Sequence, residues 1–235
     1  MKQPKVSIVI PAHNEELVIS DTLKAVQAQD YPDFEIIVVD NASADRTADV
    51  ARAFDVHVVY EPKKGLLSAR ERGRKEATGE IIVNIDADCL PETDWLSHGV
   101  SLFTDPSIVA VTGPYHYHDG GKVFSTVSLL MQKNVYYVVN FIIQLPFVKK
   151  GAILIGGNNF IRSDALAKAG GYDTSVLFYG EDTNTAKRVS RHGRVIFSRK
   201  VVMKTSARRF KEEGKVHLTL KYFYHFFSVL LSGKY

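Results

Sequence analysis

Two aspartates, Asp86 and Asp88, stand one residue apart in the stretch NIDADCLPETDW, residues 84–95. The preceding run EIIV is apolar and β-branched, which predicts a buried strand with both carboxylates at its end. On an extended backbone, side chains two residues apart face the same way. One carboxylate can then bind a hard divalent cation while the other accepts a hydrogen bond from a neighbouring hydroxyl. Taken alone, the pair is more typical of a helix cap.

A third carboxylate, Asp40, ends another apolar run of the same kind. Four such runs alternate with segments of helical character: VSIVIPA (6–12), EIIVVD (35–40), VHVVY (56–60) and EIIVNID (80–86). This alternation predicts a doubly wound α/β fold, a mostly parallel sheet with helices on both faces. Ligands bind outside the carboxyl ends of the strands in such sheets. We therefore expect Asp40 and Asp86 to project towards one crevice.

Composition places few limits on function. The chain has 235 residues, 45% of them hydrophobic, and no internal repeat or long linker, so we expect one domain over 1–235. The formal net charge of +4 suits anionic ligands or a membrane surface and does not call for nucleic acid. A single cysteine, Cys89, fits a reducing, cytoplasmic compartment. The apolar stretch 135–148 is too short and too interrupted to predict a transmembrane helix.

Six motifs follow one another in a fixed order: VSIVIPAHNEE, IIVVDNASADRT, KGLLSARERG, GEIIVNIDADCLPETDWL, GGNNFIRSDALAKAGGYD and GEDTNTAKRVSRHG. Together they resemble a family 2 glycosyltransferase over about residues 6–193. The resemblance implies the GT-A fold, a nucleotide-sugar donor and inversion at the anomeric carbon. The Q-x-x-R-W signature of processive relatives is absent, since Trp95 is the only tryptophan, which indicates transfer of one sugar per encounter.

The resemblance assigns the donor site to the ends of the first two strands. Pro11, Ala12 and Glu15 in PAHNE are similar to the residues that contact the nucleoside, and Asp40 to the carboxylate that contacts the base. The family's frequent aspartate pair is Asp40-Asn41 here. Glu15 and Asp40 would also serve as plain helix caps, and for Glu15 the two interpretations are equally supported.

The same resemblance gives Asp86 and Asp88 the roles of the D-x-D motif. Asp86 would approach the ribose, and Asp88 would hold Mg²⁺ or Mn²⁺ between the two phosphates. Arg70 could add a bidentate nucleotide contact, or lie on a solvated helix face. Arg208 and Arg209 could clamp the pyrophosphate from a loop, or form a surface basic cluster.

On the acceptor side, Asp182 in GED resembles the family's catalytic base, and Glu181 beside it could tune or position it. A helix N-terminus should help keep Asp182 ionised, although an ordinary helix acid would look the same. Gly157, Asn158 and Asn159 in GGNNF resemble the acceptor-binding segment. Glycine allows close backbone approach to the sugar, and one of the two amides could bind its hydroxyls. The sequence does not indicate which asparagine faces inward.

The predicted domain has two halves: about 1–115 binds the nucleotide sugar and about 116–235 binds the acceptor. Within the second half, the segments 123–148 and 216–235 are apolar and aromatic with flanking lysines, as in amphipathic elements on an anionic interface. This favours a peripheral membrane protein at the inner face of the cytoplasmic membrane with a glycan or lipid-linked acceptor. Ordinary core helices or a dimer contact explain the segments equally well, and the oligomeric state stays open.

Two rival functions fit the same fold. A sugar nucleotidyltransferase needs a glycine-rich, basic N-terminal loop, which VIPAHNEE lacks. A non-catalytic module that binds nucleotide sugars would be indicated by loss of Asp88 or Asp182, and both are present. We therefore predict a glycosyltransferase that moves a hexose to a hydroxyl, with UDP as the favoured donor nucleotide and GDP as the alternative.

Overall fold

The computed structural model describes residues 3–145, 148, 151–176 and 179–231. The predicted apolar segments 123–148 and 216–235 are described only in part. Pro146, Phe147 and residues 232–235 lie outside the described residues.

The strands are short and follow the β-branched runs of the sequence. Their bounds are β1 (Val6–Ala12), β2 (Phe34–Asp40), β3 (His57–Tyr60), β4 (Ile81–Ile85), β5 (Leu90–Pro91), β6 (Ile108–Thr112), β7 (Tyr115–Tyr117), β8 (Asn158–Arg162), β9 (Arg194–Phe197) and β10 (Met203–Thr205). The four runs predicted as strands match β1 to β4 to within a residue at each end.

Ten α-helices are described, and one π-helical turn joins two of them. Their bounds are α1 (Ile19–Gln27), α2 (Thr47–Arg52), α3 (Leu66–Glu76), α4 (Trp95–Ser101), α5 (Lys122–Met131), the π turn (Gln132–Tyr136), α6 (Tyr137–Ile143), α7 (Ser163–Lys168), α8 (Glu181–Val189), α9 (Arg208–Glu213) and α10 (Lys215–Leu231).

Seven strands form the central sheet in the order β3-β2-β1-β4-β8-β6-β9. Neighbouring strands are parallel except around β8, which is antiparallel to β4 and to β6. Strands β2 and β3 follow one another on one side of β1. Strand β4 then lies on the other side of β1. The strand order therefore reverses between β1 and β4. Such a switch point opens a crevice at the carboxyl ends of the strands, where ligands bind.

Helices cover both faces of this sheet, as the sequence predicts. Alternate residues of a strand point to opposite faces, so Ile8 of β1 packs in one core layer with Leu23 of α1, while Val9 packs in the other with Leu67 of α3. The predicted fold class, a mostly parallel sheet between helical layers, is therefore confirmed.

The second half of the chain adds a smaller layer beside the sheet. Strands β5, β10 and β7 form a three-stranded sheet, and α5, the π turn, α6 and α10 lie next to it. Ile143 of α6 and Leu230 of α10 pack in one small cluster, and Phe210 of α9 packs with Leu218 of α10 in another. Across the described residues, no helix is both long enough and apolar enough to cross a membrane.

Candidate active site

The carboxyl ends of β1, β2 and β3 are held together by Asn41, the second residue of the Asp40-Asn41 pair, for which the sequence predicted no contacts. The side-chain amide of Asn41 donates to the carbonyls of Glu61 and Lys63, and its oxygen accepts from the N–H of Gly65. Its backbone N–H donates to the carbonyl of Ala12 at 2.8 Å. Asn41 is 5% exposed, and its hydrogen bonds hold the loops beneath the crevice together. In the sequence, the only sign of this structural role was the position of Asn41 next to Asp40, which ends a strand.

The predicted nucleoside contacts lie at this edge of the sheet. Ala12 and Asp40 are direct partners in the β1–β2 register, and Pro11 precedes them. Asp40 is 7% exposed and accepts a hydrogen bond from the N–H of Ser43 at 3.1 Å, a local turn contact. Glu15 does not cap a helix through its side chain, because both of its oxygens accept from Arg208, at 2.7 and 3.0 Å.

Asp86 and Asp88 follow β4 in a turn, and the expectation of an extended backbone is wrong here. The N–H of Cys89 donates to the carbonyl of Asp86 at 3.1 Å, which closes a tight turn across Asp88. The two side chains consequently have different partners. Asp86 accepts from the Tyr115 hydroxyl at 2.9 Å, whereas Asp88 accepts from the Thr205 hydroxyl at 3.3 Å.

The surroundings of Asp88 fit a divalent cation. Burial raises the pKa of Asp88 to about 6, and the negative charges of Asp86 and Glu15 add to the shift. A carboxylate destabilised in this way gains from a positive ion beside it, and its oxygens are the ligands that Mg²⁺ and Mn²⁺ prefer. The described residues contain no cluster of three or more His, Cys, Asp or Glu side chains arranged as a metal cage. A cation held by Asp88 would therefore need further oxygen ligands from a bound ligand or from water.

Arg70 occupies the centre of the site and does not lie on a solvated helix face. It is 2% exposed, and its guanidinium donates to Asp182 at 2.9 Å and to Asp86 at 3.4 Å. Burial by itself lowers the pKa of Arg70, but the charges of Asp182 and Asp86 outweigh it and leave the pKa above its ordinary value. Arg70 is therefore always positively charged. It links Asp86, the predicted ribose contact, to Asp182, the predicted catalytic base.

Glu181 and Asp182 begin α8, as the sequence predicts, but the helix N-terminus does not dominate their ionisation. Burial raises the pKa of Asp182, the charge of Arg70 opposes this, and Asp86 adds to it. Burial and the charge of Asp182 together raise the pKa of Glu181 to about 7. About a third of the Asp182 side chain is accessible, and Asp182 lines the wall of a cavity. Both carboxyls therefore bind a proton at a higher pH than exposed carboxyls do.

The glycines before β8 allow the chain to pass against this charged centre. A Cβ at Gly156 would lie 2.6 Å from Nη2 of Arg70 and 2.7 Å from both carboxylate oxygens of Asp182. A Cβ at Gly157 would lie 2.4 Å from Cγ of Asp86. Both positions therefore exclude a side chain. The structure shows the backbone approaching the protein's own charged groups here, and the close approach to the acceptor sugar stays a prediction.

The predicted acceptor contacts of Asn158 and Asn159 require a correction. Asn158 is fully buried, where it accepts from the Trp95 indole and donates to the carbonyl of Val201. Asn159 is 4% exposed, and its amide donates to the carbonyls of Ile155 and Gly156. Neither side chain faces a place where an acceptor could bind. Both hold the loop that carries Gly156 and Gly157 beside β4.

The neighbouring arginines Arg208 and Arg209 point to different parts of the site. Arg208 pairs with Glu15 at 2.7 Å, and its charge acts on Asp88, so it lies on the donor side. Arg209 pairs with Glu213 at 2.8 Å and donates to the Tyr179 hydroxyl at 2.7 Å. The two adjacent arginines therefore face different parts of the site. Only Arg208 is close to Asp88, the predicted metal ligand.

A cavity of about 730 Å³ opens beside the charged centre. Arg70, Asp86 and Asp182 form part of its wall, and most of the remaining wall is apolar and comes from α5, the π turn, α6 and α10. Asp182 therefore lies where the donor crevice meets a large apolar space. Tyr115, another residue that the sequence did not single out, joins the two regions, because its hydroxyl donates to Asp86 and accepts from the N–H of Gly157.

A sheet with this switch point and an acidic turn after β4 defines the GT-A class of nucleotide-sugar folds. The model of the family described as glycosyl transferase family 2 matches residues 7–170. The chain therefore belongs to glycosyltransferase family 2.

Relatives and solved structures agree with this assignment. The chain is 29% identical over 224 residues to glycosyltransferase AglE of Haloferax volcanii, covering 89% of this chain and 69% of that protein. It is 36% identical over 200 residues to the probable glycosyltransferase YdaM of Bacillus subtilis, covering 79% of this chain and 46% of that protein. The chain therefore spans about two thirds of one relative and less than half of the other.

Among solved structures, the mannosyltransferase PcManGT of Pyrobaculum calidifontis, in complex with GDP-Man and Mn²⁺, superposes with a TM-score of 0.76 at 25% identity. The match covers 100% of this chain and 66% of PcManGT. TarS of S. aureus superposes with a TM-score of 0.67 at 18% identity, covering 92% of this chain and 39% of TarS. The TarS match shows the shared fold alone.

Proposed function

We propose that this protein is a metal-dependent, inverting glycosyltransferase that moves a hexose from a nucleotide sugar to an acceptor hydroxyl, one sugar per encounter. The observation that carries this proposal is the position of Asp182. Its carboxylate stands at the junction of the donor crevice and the apolar cavity, held by Arg70, which also binds Asp86. A base for an inverting transfer must lie between donor and acceptor in this way.

The donor would lie across the carboxyl ends of β1, β2 and β4. Pro11 and Ala12 would border the nucleoside with Glu15, Asp40 would contact the base, and Asp86 the ribose. Arg208 lies close enough to Glu15 and Asp88 to turn towards the pyrophosphate. GDP-Man and Mn²⁺ are bound in PcManGT, which supports a nucleotide-sugar donor with a divalent cation here. UDP and GDP both fit this proposal, and a direct comparison must distinguish them.

Asp88 would hold the cation, Mg²⁺ or Mn²⁺. When bound, that cation would supply positive charge to the diphosphate as negative charge develops on it.

The reaction itself needs one proton acceptor and one leaving group. Asp182 takes the proton of the acceptor hydroxyl as that oxygen attacks the anomeric carbon. The bond from this carbon to the diphosphate oxygen breaks, and its electron pair stays on the nucleoside diphosphate. Arg70 keeps the Asp182 carboxylate oriented, and the raised pKa of Asp182 makes it a better base than an exposed aspartate. Glu181 tunes that pKa from the neighbouring position.

Ligand-induced stabilisation tests the donor half of this proposal. The thermal unfolding midpoint would be measured with UDP and with GDP, each with and without Mn²⁺. We expect one nucleotide to stabilise the protein more strongly with the metal, because a ligand that binds only the folded state raises the midpoint. Asp88→Asn should abolish the metal-dependent part. If neither nucleotide stabilises the protein in either condition, the donor proposal is wrong.

Donor screening by mass spectrometry tests the catalytic half. The purified protein would be incubated with a panel of UDP- and GDP-sugars and Mn²⁺, and released nucleoside diphosphate and transferred sugar would be detected. Asp182→Asn is the matched control, since it keeps the shape and removes the base. We expect a loss of at least about 100-fold in turnover for this variant. Normal turnover would show that Asp182 is not the base.

We also propose that 1–235 works as one domain at a membrane surface. Apolar side chains on the outer faces of α5, α6 and α10 are exposed, for example Leu130, Phe141 and Tyr224. Lys122 and Lys133 lie on the same helical segment, which suits an anionic interface. The acceptor would then be membrane-proximal or lipid-linked.

A further inference from the structure

The turn that begins α8 has an unfavourable backbone conformation at Tyr179. Its φ is 76° and that of Gly180 is 94°, so two successive residues have positive φ. Glycine adopts such angles freely, whereas a Cβ makes them costly. A tyrosine keeps this conformation only when its surroundings hold it there. Glu181 and Asp182 follow directly as the first residues of α8, so the contacts that hold this turn also affect where the two carboxyls lie.

The Tyr179 hydroxyl is held by three charged side chains of α9 and α10. It accepts from Arg209 at 2.7 Å and from Lys221 at 2.8 Å, and it donates to Glu213 at 2.9 Å. A phenol hydroxyl has one proton and two lone pairs, so these contacts match its hydrogen-bonding capacity. Glu213 also pairs with both cations, at 2.8 and 3.3 Å. Hydrogen bonds to charged groups are stronger than those between neutral groups, so this cluster is a firm anchor for the hydroxyl.

The ring and the backbone of Tyr179 make further contacts on both sides of the turn. The His225 ring of α10 stacks on the Tyr179 ring with centroids 5.2 Å apart. A Cβ at Gly180 would lie 2.8 Å from Cγ2 of Val229, so α10 packs closely against the turn. Burial raises the pKa of Glu181, and a hydrogen bond from the N–H of Tyr179 to its carboxylate acts against that rise. Tyr179 therefore contacts α9 and α10 through its side chain and the buried acidic pair through its backbone.

From these contacts we infer that Tyr179 is a positioning residue for Asp182, acting through the turn that begins α8. The inference rests on the proposed function, in which Asp182 takes the proton of the acceptor hydroxyl. Arg209, Glu213 and Lys221 hold the Tyr179 hydroxyl, and the turn then sets where α8 places the Asp182 carboxylate. A base displaced by about 1 Å can lose about 100-fold in rate. The donor crevice at the ends of β1, β2 and β4 is formed by other residues and should keep its affinity.

Tyr179→Phe tests this role, because it removes the hydroxyl and keeps the stacked ring. Glu213 still pairs with both cations in this variant, so we expect it to fold. The reaction measured is release of nucleoside diphosphate from the panel of UDP- and GDP-hexoses with Mn²⁺, with water as the acceptor of the sugar. Water loses a proton to Asp182 as its oxygen attacks the anomeric carbon, and the bond to the diphosphate breaks. We expect kcat to fall at least about tenfold and the KM for the nucleotide sugar to change less than about twofold.

The matched control is Tyr222→Phe, which removes a hydroxyl that contacts the same arginine. The Tyr222 hydroxyl accepts from Arg209 at 3.3 Å, and its ring centroid lies 5.9 Å from that of Tyr179. Tyr222 belongs to α10 and not to the turn, so kcat and KM should stay within about twofold of the wild type. An equal fall of kcat in both variants would overturn the inference, because it would show a general disturbance of this region.

A double-mutant cycle tests whether the cluster acts through the Tyr179 hydroxyl. Glu213→Leu removes the acceptor of its proton and should lower kcat, whereas Glu212→Leu, at the neighbouring exposed position of α9, should not. Two changes that break the same contact are not additive. We therefore expect Tyr179→Phe/Glu213→Leu to be no slower than the slower of its two single variants. Additive falls would show that Glu213 and Tyr179 act independently and would contradict the inference.

Hydrogen exchange of backbone amides examines the turn without any substrate. The N–H of Asn184 donates to the carbonyl of Gly180 at 2.8 Å and closes the first turn of α8. We expect this amide to exchange at least about tenfold faster in Tyr179→Phe, and the amides of α1 to exchange as in the wild type.

Three results would overturn the inference: unchanged kcat in Tyr179→Phe, a KM for the nucleotide sugar that rises as much as kcat falls, or unchanged exchange of the Asn184 amide. Each of them leaves the proposed function standing. A wild-type protein that turns over no nucleotide sugar of the panel would instead count against the proposed function, and the exchange of the Asn184 amide would still show whether Tyr179 holds the turn.

Discussion

At the scale of single residues, the site is organised by a buried cation between carboxylates. Arg70 contacts Asp86 and Asp182, which lie 16 and 112 residues away along the chain. The planar guanidinium presents several donors in fixed directions and can reach two carboxylates at once, which a lysine ammonium on a flexible stem does less well. Arg70 thereby links the donor side to the base.

Replacing Arg70 tests this role. Arg70→Leu leaves two carboxylates without their cation in an enclosed space, and we expect the free energy of unfolding to fall by about 3 kcal/mol. Arg70→Lys should keep part of the stability yet lower turnover, since one ammonium cannot hold both carboxylates in place. Urea unfolding and initial rates measure the two effects.

The same helix provides a control in Arg72, which pairs with Glu76 one turn away with 41% of its side chain exposed. Arg72→Leu should cost less than about 1 kcal/mol, as is usual for surface pairs. A similar loss at both positions would show that Arg70 acts as an ordinary surface charge.

Glu181 and Asp182 predict a particular pH dependence of the reaction. The pair is buried together and faces Arg70 and Asp86, so its protons come off in coupled steps. We expect kcat/KM to rise with pH as the base becomes ionised, at a higher pH than for an exposed aspartate, because burial raises the pKa of Asp182. Glu181→Gln removes a negative charge beside Asp182 and should move this acid limb to lower pH by about one unit. Rates between pH 5 and 9 would show it, with Glu212→Gln, on α9, as the control.

The raised pKa of Glu181 also makes a prediction about stability. A carboxyl whose pKa is higher in the folded than in the unfolded state binds more protons when folded. The free energy of unfolding should therefore decline as pH rises from about 4.5 to about 7 and stay low above that range. Glu181→Gln should flatten this decline in chemical unfolding series. A slope identical to that of the wild type would contradict the assignment of the shift to Glu181.

At the scale of elements, the π turn connects the acceptor helices to the donor carboxylates. Gln132 begins this turn and is 4% exposed. Its side chain accepts from the N–H of Tyr115 at 2.9 Å and donates to the carbonyl of the same residue at 3.2 Å. Because the Tyr115 hydroxyl holds Asp86, the helical segment and the turn after β4 are coupled through two side chains.

Gln132→Leu tests that coupling. The change leaves the buried N–H and C=O of Tyr115 without their side-chain partner, which should cost about 1–3 kcal/mol in the free energy of unfolding. We also expect weaker donor binding, seen as a raised KM for the nucleotide sugar. Asn134→Leu in the same π turn is the control, since Asn134 is exposed and bonds only within its helix. If the KM for the nucleotide sugar stays unchanged in Gln132→Leu, the contacts from the π turn to Asp86 do not contribute to donor binding.

At the scale of the whole molecule, the exposed apolar side chains are concentrated on one layer. Among the residues that the structure describes, sixteen large hydrophobic residues are exposed, and fourteen of them lie between Val123 and Ile142 or between Val216 and Leu231. The other two, Leu17 and Tyr60, are in the first half of the chain. An apolar surface of this kind with flanking lysines predicts association with anionic membranes.

Flotation with vesicles of phosphatidylglycerol and phosphatidylcholine measures this association. We expect the wild type to float and Phe141→Ser/Tyr224→Ser to lose most of that binding, because each change removes exposed apolar surface. Leu17→Ser is the matched control, with a side chain that is 87% exposed on another part of the molecule. Higher ionic strength should weaken binding by screening the lysines. A wild-type protein that stays with the soluble fraction would contradict the membrane proposal.

The sequence by itself determined four of the seven strands of the central sheet, β1 to β4, and the positions of their polar ends. Strands β1 to β4 are runs of β-branched residues, and such runs indicate buried strands without information from the rest of the chain. Asp40 and Asp86 end two of these strands, so the sequence was enough to place them at one edge of the sheet. The ordered motifs likewise identified the family. These features depend on residues close together in the chain, where side-chain periodicity and strand propensity act directly.

Only the tertiary structure decided which way the functional side chains point. Arg70 is buried because Asp182, far along the chain, packs against its helix, and no local pattern distinguishes this from a solvated arginine. Asn158 and Asn159 turn into the core because Trp95 and nearby carbonyls satisfy their amides. The cavity exists because α10 packs opposite α5 and α6, whose residues lie about 90 positions earlier in the sequence. Contacts between distant residues follow from the packing of whole elements, and periodicity within one element carries no information about them.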